Sequence, residues 1–217
     1  MHKLEIDSVV LEFDLRKVLS DIYLKCETGK ITGLLGRNGQ GKTCLMNIIN
    51  GSLEPQHKSV RFDSLVNHNP LKTPKLLLYL PQFNFIPEQL TLKRIFQDFE
   101  LEFSDFEKTF PEINTSYKSS IKYLSGGYRR IIEVYIIIKS KSQFALLDEP
   151  FSHIMPLHIE KIKELLIEEK QHKGILITDH LYQHITSISD SLYVLENGKT
   201  HLTKHHSDLK RLGYINT

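Results

Sequence analysis

The stretch Gly36-Arg37-Asn38-Gly39-Gln40-Gly41-Lys42-Thr43 constrains this chain more than any other. It fits G-x-x-x-x-G-K-[ST] at every fixed position. Glycines 36, 39 and 41 let the backbone curl so that successive N–H groups point inward, toward the positive end of the helix that follows. Lys42 would then reach the β- and γ-phosphates of a nucleotide, and the Thr43 hydroxyl would bind Mg²⁺. Gly-rich turns of this length also arise by chance, but the flanks favour the phosphate loop. Lys30-Ile-Thr-Gly-Leu-Leu35 reads as a strand, and Cys44-Leu-Met-Asn-Ile-Ile49 reads as a helix closed by Gly51.

At 217 residues the chain suits one large domain or one domain with a small insert. With Lys+Arg 28 against Asp+Glu 26 there is no global basic excess, so no nucleic-acid partner is expected. Cys26 and Cys44 lie in unlike contexts and build neither a zinc pattern nor a disulfide framework. The opening Met-His-Lys-Leu-Glu-Ile-Asp carries acids where a signal peptide needs apolar residues. Ile131 to Ile138, the most apolar stretch, is interrupted by Glu133 and too short to span a bilayer. Any membrane role is therefore expected through a partner.

Val9 to Phe13 and the alternating Ser20 to Cys26 read as two antiparallel edge strands before the phosphate loop. Val60 to Val66 reads as a further short strand and Leu76 to Leu80 as a buried one ending at Pro81. From Gln82 the pattern turns helical, with Thr91 and Ser104 as caps of helices running to about Glu100 and Phe110. This predicts a helical insert over about residues 83–139. Phe144–Leu147, Gly174–Thr178 and Ser191–Leu195 then read as strands separated by helices such as Leu157–Glu169, which implies a mostly parallel sheet covered on both faces. Asn197-Gly198 marks a hairpin, and a short basic helix is expected after Ser207.

Two further motifs carry chemistry. Phe144-Ala-Leu-Leu-Asp148-Glu149 is an apolar strand ending in two acids at the sheet edge where such folds place ligands. Asp148 suits Mg²⁺ and its waters, and Glu149 suits acceptance of a proton from an attacking water. Taken alone the pair could equally be solvated acids opening a loop. Leu124-Ser125-Gly126-Gly127 precedes a helical run, Arg129 to Lys139, so Ser125 is either a helix cap or part of an anion-holding N-terminus.

GRNGQGKT, Gln82 in Leu-Pro-Gln, LSGG at 124–127, LLDEP at 146–150 and ITDH ending at His180 together resemble the nucleotide-binding domains of ABC ATPases. The resemblance covers nearly the whole chain. Within that family, LSGGYRR, DEPF and ITDH look most like the ATPases of lipopolysaccharide export and branched-chain amino acid transport. The resemblance implies an α/β P-loop NTPase fold with an N-terminal antiparallel β subdomain, and an ATP- and Mg²⁺-dependent ATPase. It implies a head-to-tail dimer with each ATP between the phosphate loop of one subunit and the LSGG helix of the other. Residues Gly36 to Cys44 would hold the nucleotide, with Thr43, Gln82 and Asp148 on Mg²⁺ and Lys42, Gln82, Glu149 and His180 catalytic. Phe13 falls where the family stacks an aromatic on adenine, although an aromatic in a strand is more often core. Leu124, Ser125, Gly126 and Gly127 would act in trans. Transmembrane permease subunits would hold the chain at the cytoplasmic face of the membrane, coupled through the insert, where Phe83, Phe85, Ile86 and Phe96 are expected exposed, in a small insert core, or both.

Two departures stand out. Met155 occupies the place where the family's D-loop carries aspartate, and Tyr128 replaces the usual Glu or Gln of the signature. Met155 motivates a second reading, a non-transport ABC ATPase acting as a nucleotide-dependent switch or scaffold with slow turnover. A small-molecule kinase is disfavoured by LSGG and by the acid after Asp148. His201, His205 and His206 read as solvated, as do Lys204, Lys210 and Arg211.

Overall fold

The computed structural model describes residues 1–14, 16–67, 69–203, 206–212 and 214. The chain opens with β1 (Lys3–Phe13), β2 (Arg16–Leu19) and β3 (Tyr23–Glu27) and then enters β4 (Ile31–Leu35), the phosphate loop and α1 (Lys42–Asn50). Next come β5 (His57–Phe62), β6 (Leu65–Val66) and β7 (Leu77–Leu80), followed by α2 (Leu92–Asp98), α3 (Phe103–Thr109) and α4 (Gly126–Lys139). The second half alternates β8 (Phe144–Asp148), α5 (Pro156–Glu169), β9 (Gly174–Thr178), α6 (Tyr182–Ile188) and β10 (Ser191–Glu196), then closes with β11 (Lys199–Thr203) and α7 (His206–Arg211).

Strands β11-β10-β4-β9-β8-β7 form one sheet in that order, parallel except for the β10–β11 hairpin. Asn197 and Gly198 make that hairpin turn with φ of 49° and 77°, the left-handed pair that a tight turn between twisted strands needs. The register aligns the carboxyl ends: Leu80 faces Leu147, Asp148 faces Thr178, and Val194 faces Leu35. Alternate residues of the central strands feed two cores. Ile31, Leu35, Leu80, Ala145, Leu147, Ile175 and Ile177 face the insert with α4 and α5, whereas Leu34, Leu77, Phe144, Leu146 and Leu176 face α1 and the N-terminal sheet. Every residue of β4, β8 and β9 is buried, as expected of strands covered on both sides.

The N-terminal sheet is larger than two edge strands. β1 runs for eleven residues, pairs with β2, β3 and β5, and extends to β6 through β5. Leu4 and Ile6 are fully buried on its inner face, so the alternation begins well before Val9, with charged Lys3, Glu5 and Asp7 facing outward. A register shift between Asp7 and Val10 accompanies Ser8 at φ 53°, a bulge that interrupts the alternation. The expected strand from Ser20 starts instead at Tyr23.

In the insert, Thr91 caps α2 by accepting from the Arg94 N–H at 3.3 Å. Ser104 does not cap α3: the helix starts at Phe103 after Glu102, which makes no side-chain cap bond. Ile86 and Phe96 are buried and Phe85 is partly buried, while Phe83 is 73% exposed, so the insert's aromatics mostly form core. Phe106 is fully buried, its ring 5.1 to 5.8 Å from those of Phe96, Phe103, Phe110 and Tyr135. The C-terminal helix begins at His206, and Lys204 and His205 lie outside the described residues. Truncating Phe106→Ala removes the centre of this cluster and should lower unfolding free energy by about 3–5 kcal/mol in a denaturant titration.

Candidate functional site

Aligned strand ends deliver four loops to one edge: the phosphate loop after β4, Gln82 after β7, Glu149 after β8 and His180 after β9. Gly41 sits at φ 100°, and a Cβ there would come within 2.9 Å of Val18, so the turn into α1 excludes any side chain on both counts. Lys42 is buried and folds back into the loop, donating to the carbonyls of Gly36 at 2.8 Å and Arg37 at 3.4 Å. Burial pulls its pKa down, and Glu149, Asp148 and Asp179 pull it back up. The net effect is a pKa below the ordinary lysine value, because desolvation outweighs the pull of acids the ammonium does not touch.

An open cleft of about 1070 Å³ runs over the loop. Asn38, Gly39 and Gly41 to Cys44 form its floor, and Gln82, Glu149 and His180 close one side. The β1–β2 hairpin supplies the other side with Phe13, Asp14, Arg16 and Val18. Phe13 is half exposed, so its ring lies on the cleft wall and outside the core. Gln40 belongs to the loop but its side chain turns away, accepting from the Asn197 N–H at 3.0 Å.

Gln82 Nε2 donates to Glu149 Oε2 at 2.9 Å, Ser152 Oγ donates to the same oxygen at 3.3 Å, and His180 Nδ1 lies 3.8 Å from it. Glu149 adopts φ 50°, a left-handed conformation that costs a non-glycine residue strain of order 1–3 kcal/mol and gathers at functional sites. Asp179 is fully buried behind His180, accepting from the N–H groups of Phe151 at 3.0 Å and Leu181 at 2.9 Å. Burial raises its pKa against those two bonds, and its Oδ1 lies 3.3 Å from His180 Nδ1.

Asp148 is also fully buried; Tyr79 donates to its Oδ2 at 3.3 Å, and Oδ1 is buried without a partner. Burial raises its pKa, opposed first by the Thr43 hydroxyl. An unpartnered carboxylate oxygen next to a hydroxyl fits a small hard cation that keeps several waters, so Asp148 and Thr43 are the residues that would hold Mg²⁺. Gln82, the third expected ligand, has its amide nitrogen on Glu149.

Leu124, Ser125, Gly126 and Gly127 do not line this cleft. Ser125 caps α4, accepting from the Tyr128 N–H at 3.2 Å. A Cβ on Gly127 would meet the His153 carbonyl at 2.7 Å, so this glycine lets α4 pack on the loop before α5. A Cβ on Gly126 would meet nothing within 4 Å among the described residues, and the residue is exposed. Met155 is 56% exposed at the N-cap of α5 and makes no side-chain cap bond. Asp14, Arg16, Val18, Ser152 and Asp179 escaped the sequence reading. Only Asp179 carried a local signal, an acid directly after a buried strand.

A phosphate loop at the carboxyl edge of a parallel sheet, with a buried acid and a strained glutamate across the cleft, defines a P-loop nucleotide-binding domain. The ABC transporter family model matches residues 19–152, and the chain belongs to that family. It is 28% identical to the lipopolysaccharide export system ATP-binding protein LptB of Haemophilus influenzae, over 92% of this chain and 89% of that one. It is 26% identical to the high-affinity branched-chain amino acid transport ATP-binding protein BraG of Pseudomonas aeruginosa, over 90% of each chain. Among solved structures, an ATP-binding subunit of an ABC transporter superposes with a TM-score of 0.80 at 22% identity, covering 97% of this chain and 93% of that one. A nucleotide-free ATP-binding cassette gives 0.78 at 20% identity, covering 99% and 96%. The fold is that of an ATP-binding cassette. If Phe13 stacks on the base, Phe13→Ala should weaken binding of a fluorescent ATP analogue about tenfold, since such stacking contributes about 1–3 kcal/mol, and leave the unfolding midpoint unchanged.

Proposed function

We propose that this chain binds and hydrolyses ATP as the cassette subunit of an ABC transporter and drives separate transmembrane subunits. The observation that carries the reading is the contact of Gln82 and Ser152 with one oxygen of Glu149, with His180 alongside, across the cleft from Lys42. These bonds aim a carboxylate at the space above the phosphate loop, where it can accept a proton from an attacking water. Lys42 and the α1 N-terminus offset charge developing on the γ-phosphate. Mg²⁺ held by Thr43 and Asp148 would neutralise phosphate charge and orient the oxygens. His180, half exposed at the cleft rim, is placed to hydrogen-bond the γ-phosphate while Asp179 fixes its ring.

Because Ser125 and Gly126 are exposed and do not line the cleft, the arrangement favours their use on ATP held by a second copy, in a head-to-tail dimer. No helix among the described residues is long and apolar enough to cross a membrane, so transport work is assigned to partner subunits. Exposed Phe83, one residue past Gln82, supports a contact with them through the insert.

Phosphate release by the purified chain with Mg²⁺ and ATP tests the reading. Glu149→Gln should cut turnover by about a hundredfold or more, keep ATP binding, and accumulate an ATP-dependent dimer in light scattering; undiminished hydrolysis would overturn the assignment. Met155, exposed where the family carries aspartate, motivates the alternative, a non-transport variant that acts as a nucleotide-dependent switch or scaffold with slow turnover. Under that variant Met155→Asp, which also supplies a helix cap, should raise the hydrolysis rate, and an unchanged rate counts against it.

A further inference from the structure

Helix α4 buries three charged side chains in one turn: Arg129 is 8% exposed, Arg130 3% and Glu133 0%. Charges are buried only where they are paired or bonded, so each should have an assignable role. Arg130 Nη1 donates to the Pro81 carbonyl at 2.8 Å, directly before Gln82. Its Nη2 donates to the carbonyls of Asp148 at 2.8 Å and Glu149 at 3.0 Å. Glu133 Oε2 lies 3.6 Å from Nη1 as its counter-ion, and Glu133 Oε1 accepts from the Ile86 N–H at 3.3 Å. Arg129 donates to the Ile86 carbonyl and to Glu88. One turn of α4 therefore grips the backbone on both sides of Gln82 and the backbone that carries both site acids.

We propose that Arg130 is a positioning residue that sets the Gln82–Glu149 contact and ties it to the outward-facing Ser125–Gly126 end of α4. The proposal rests on the ATPase reading above and extends it to how the cleft is held in register. Only a planar guanidinium offers donors at fixed angles to three carbonyls at once; a lysine ammonium is a point donor on a flexible stem. With those carbonyls pinned to one side chain, the Gln82 amide and the Glu149 carboxylate meet at 2.9 Å. A displacement of α4, such as engagement of its exposed start by a second body, would pull on both loops together. A filler of the core would lack this geometry, because it would need none of the three carbonyls.

The test is Arg130→Lys in the full chain, read in two ways. Amide hydrogen exchange without nucleotide should quicken about tenfold or more in the segments Leu80–Ile86 and Asp148–Ser152 together, and stay at the parental rate in Gly36–Thr43. Steady-state kinetics should show kcat lowered about tenfold or more with KM for ATP within about threefold. Exchange that rises in one segment only, or evenly through the chain, overturns the proposal, as does an unchanged kcat in a folded variant. A parent that releases no phosphate would sink the hydrolysis reading, and exchange alone would then decide the tie to α4. Should Arg130→Lys fail to fold, Glu133→Gln carries the test. Faster exchange at both segments supports the link, and parental exchange at both overturns it.

Discussion

The parallel register of β7, β8, β9, β4 and β10 is the constraint on which the rest depends. It brings Leu80, Leu147 and Asp148, Thr178, and Leu35 level at one edge, so that the loops behind them leave the sheet side by side. A slip of one residue in any of these strands would exchange the side chains it offers to the two cores and shift its loop along the edge. The two cores above and below the sheet hold that register, since adjacent residues of each central strand belong to different cores.

Within the cleft, the charges are arranged by unequal burial. Lys42, Asp148 and Asp179 are buried, and desolvation shifts the pKa of each against its charged form, opposed in part by neighbouring acids at Lys42, by the Thr43 hydroxyl at Asp148 and by two backbone N–H groups at Asp179. Glu149 is set apart from these. Its backbone is strained, its carboxylate reaches the cleft, and three neighbouring side chains converge on one of its oxygens. Such a constellation is stable only because the surrounding main chain over-determines it, through the Thr178 carbonyl that accepts from the Glu149 N–H at 2.8 Å and the Arg130 guanidinium on its own carbonyl.

The α4 end of the molecule is built differently. Its glycines are adjacent but answer to different demands: Gly127 makes room for the His153 carbonyl, whereas a Cβ on Gly126 would meet nothing among the described residues. The start of α4 is thus exposed, while its buried Arg130 is bonded to the loops of the chain's own cleft. A single helix joins this exposed start to the backbone of the cleft through Arg130.

Much of this was legible in the residues. The phosphate loop, the acids ending β8 and the Ser125 cap each depend on local chemistry: glycine at left-handed φ, acids after an apolar run, a hydroxyl at a helix start. β9 was readable to the residue because a strand buried on both faces shows as an unbroken apolar run. The first half of β1 escaped because the bulge at Ser8 breaks its alternation, and Ser104 misled because a hydroxyl inside a first turn looks like a cap one residue away. The burial of Ile86 and Phe96 beside an exposed Phe83 could not be read from an aromatic-rich segment, since composition does not say which face meets the sheet. The sequence by itself determined the elements and the chemistry available at their ends, because those depend on neighbours a few positions away. Only the tertiary structure decided that Arg130 reaches Pro81, Asp148 and Glu149, and that Gln82 meets Glu149, because such bonds join residues 18 to 67 positions apart and exist only once the register has closed.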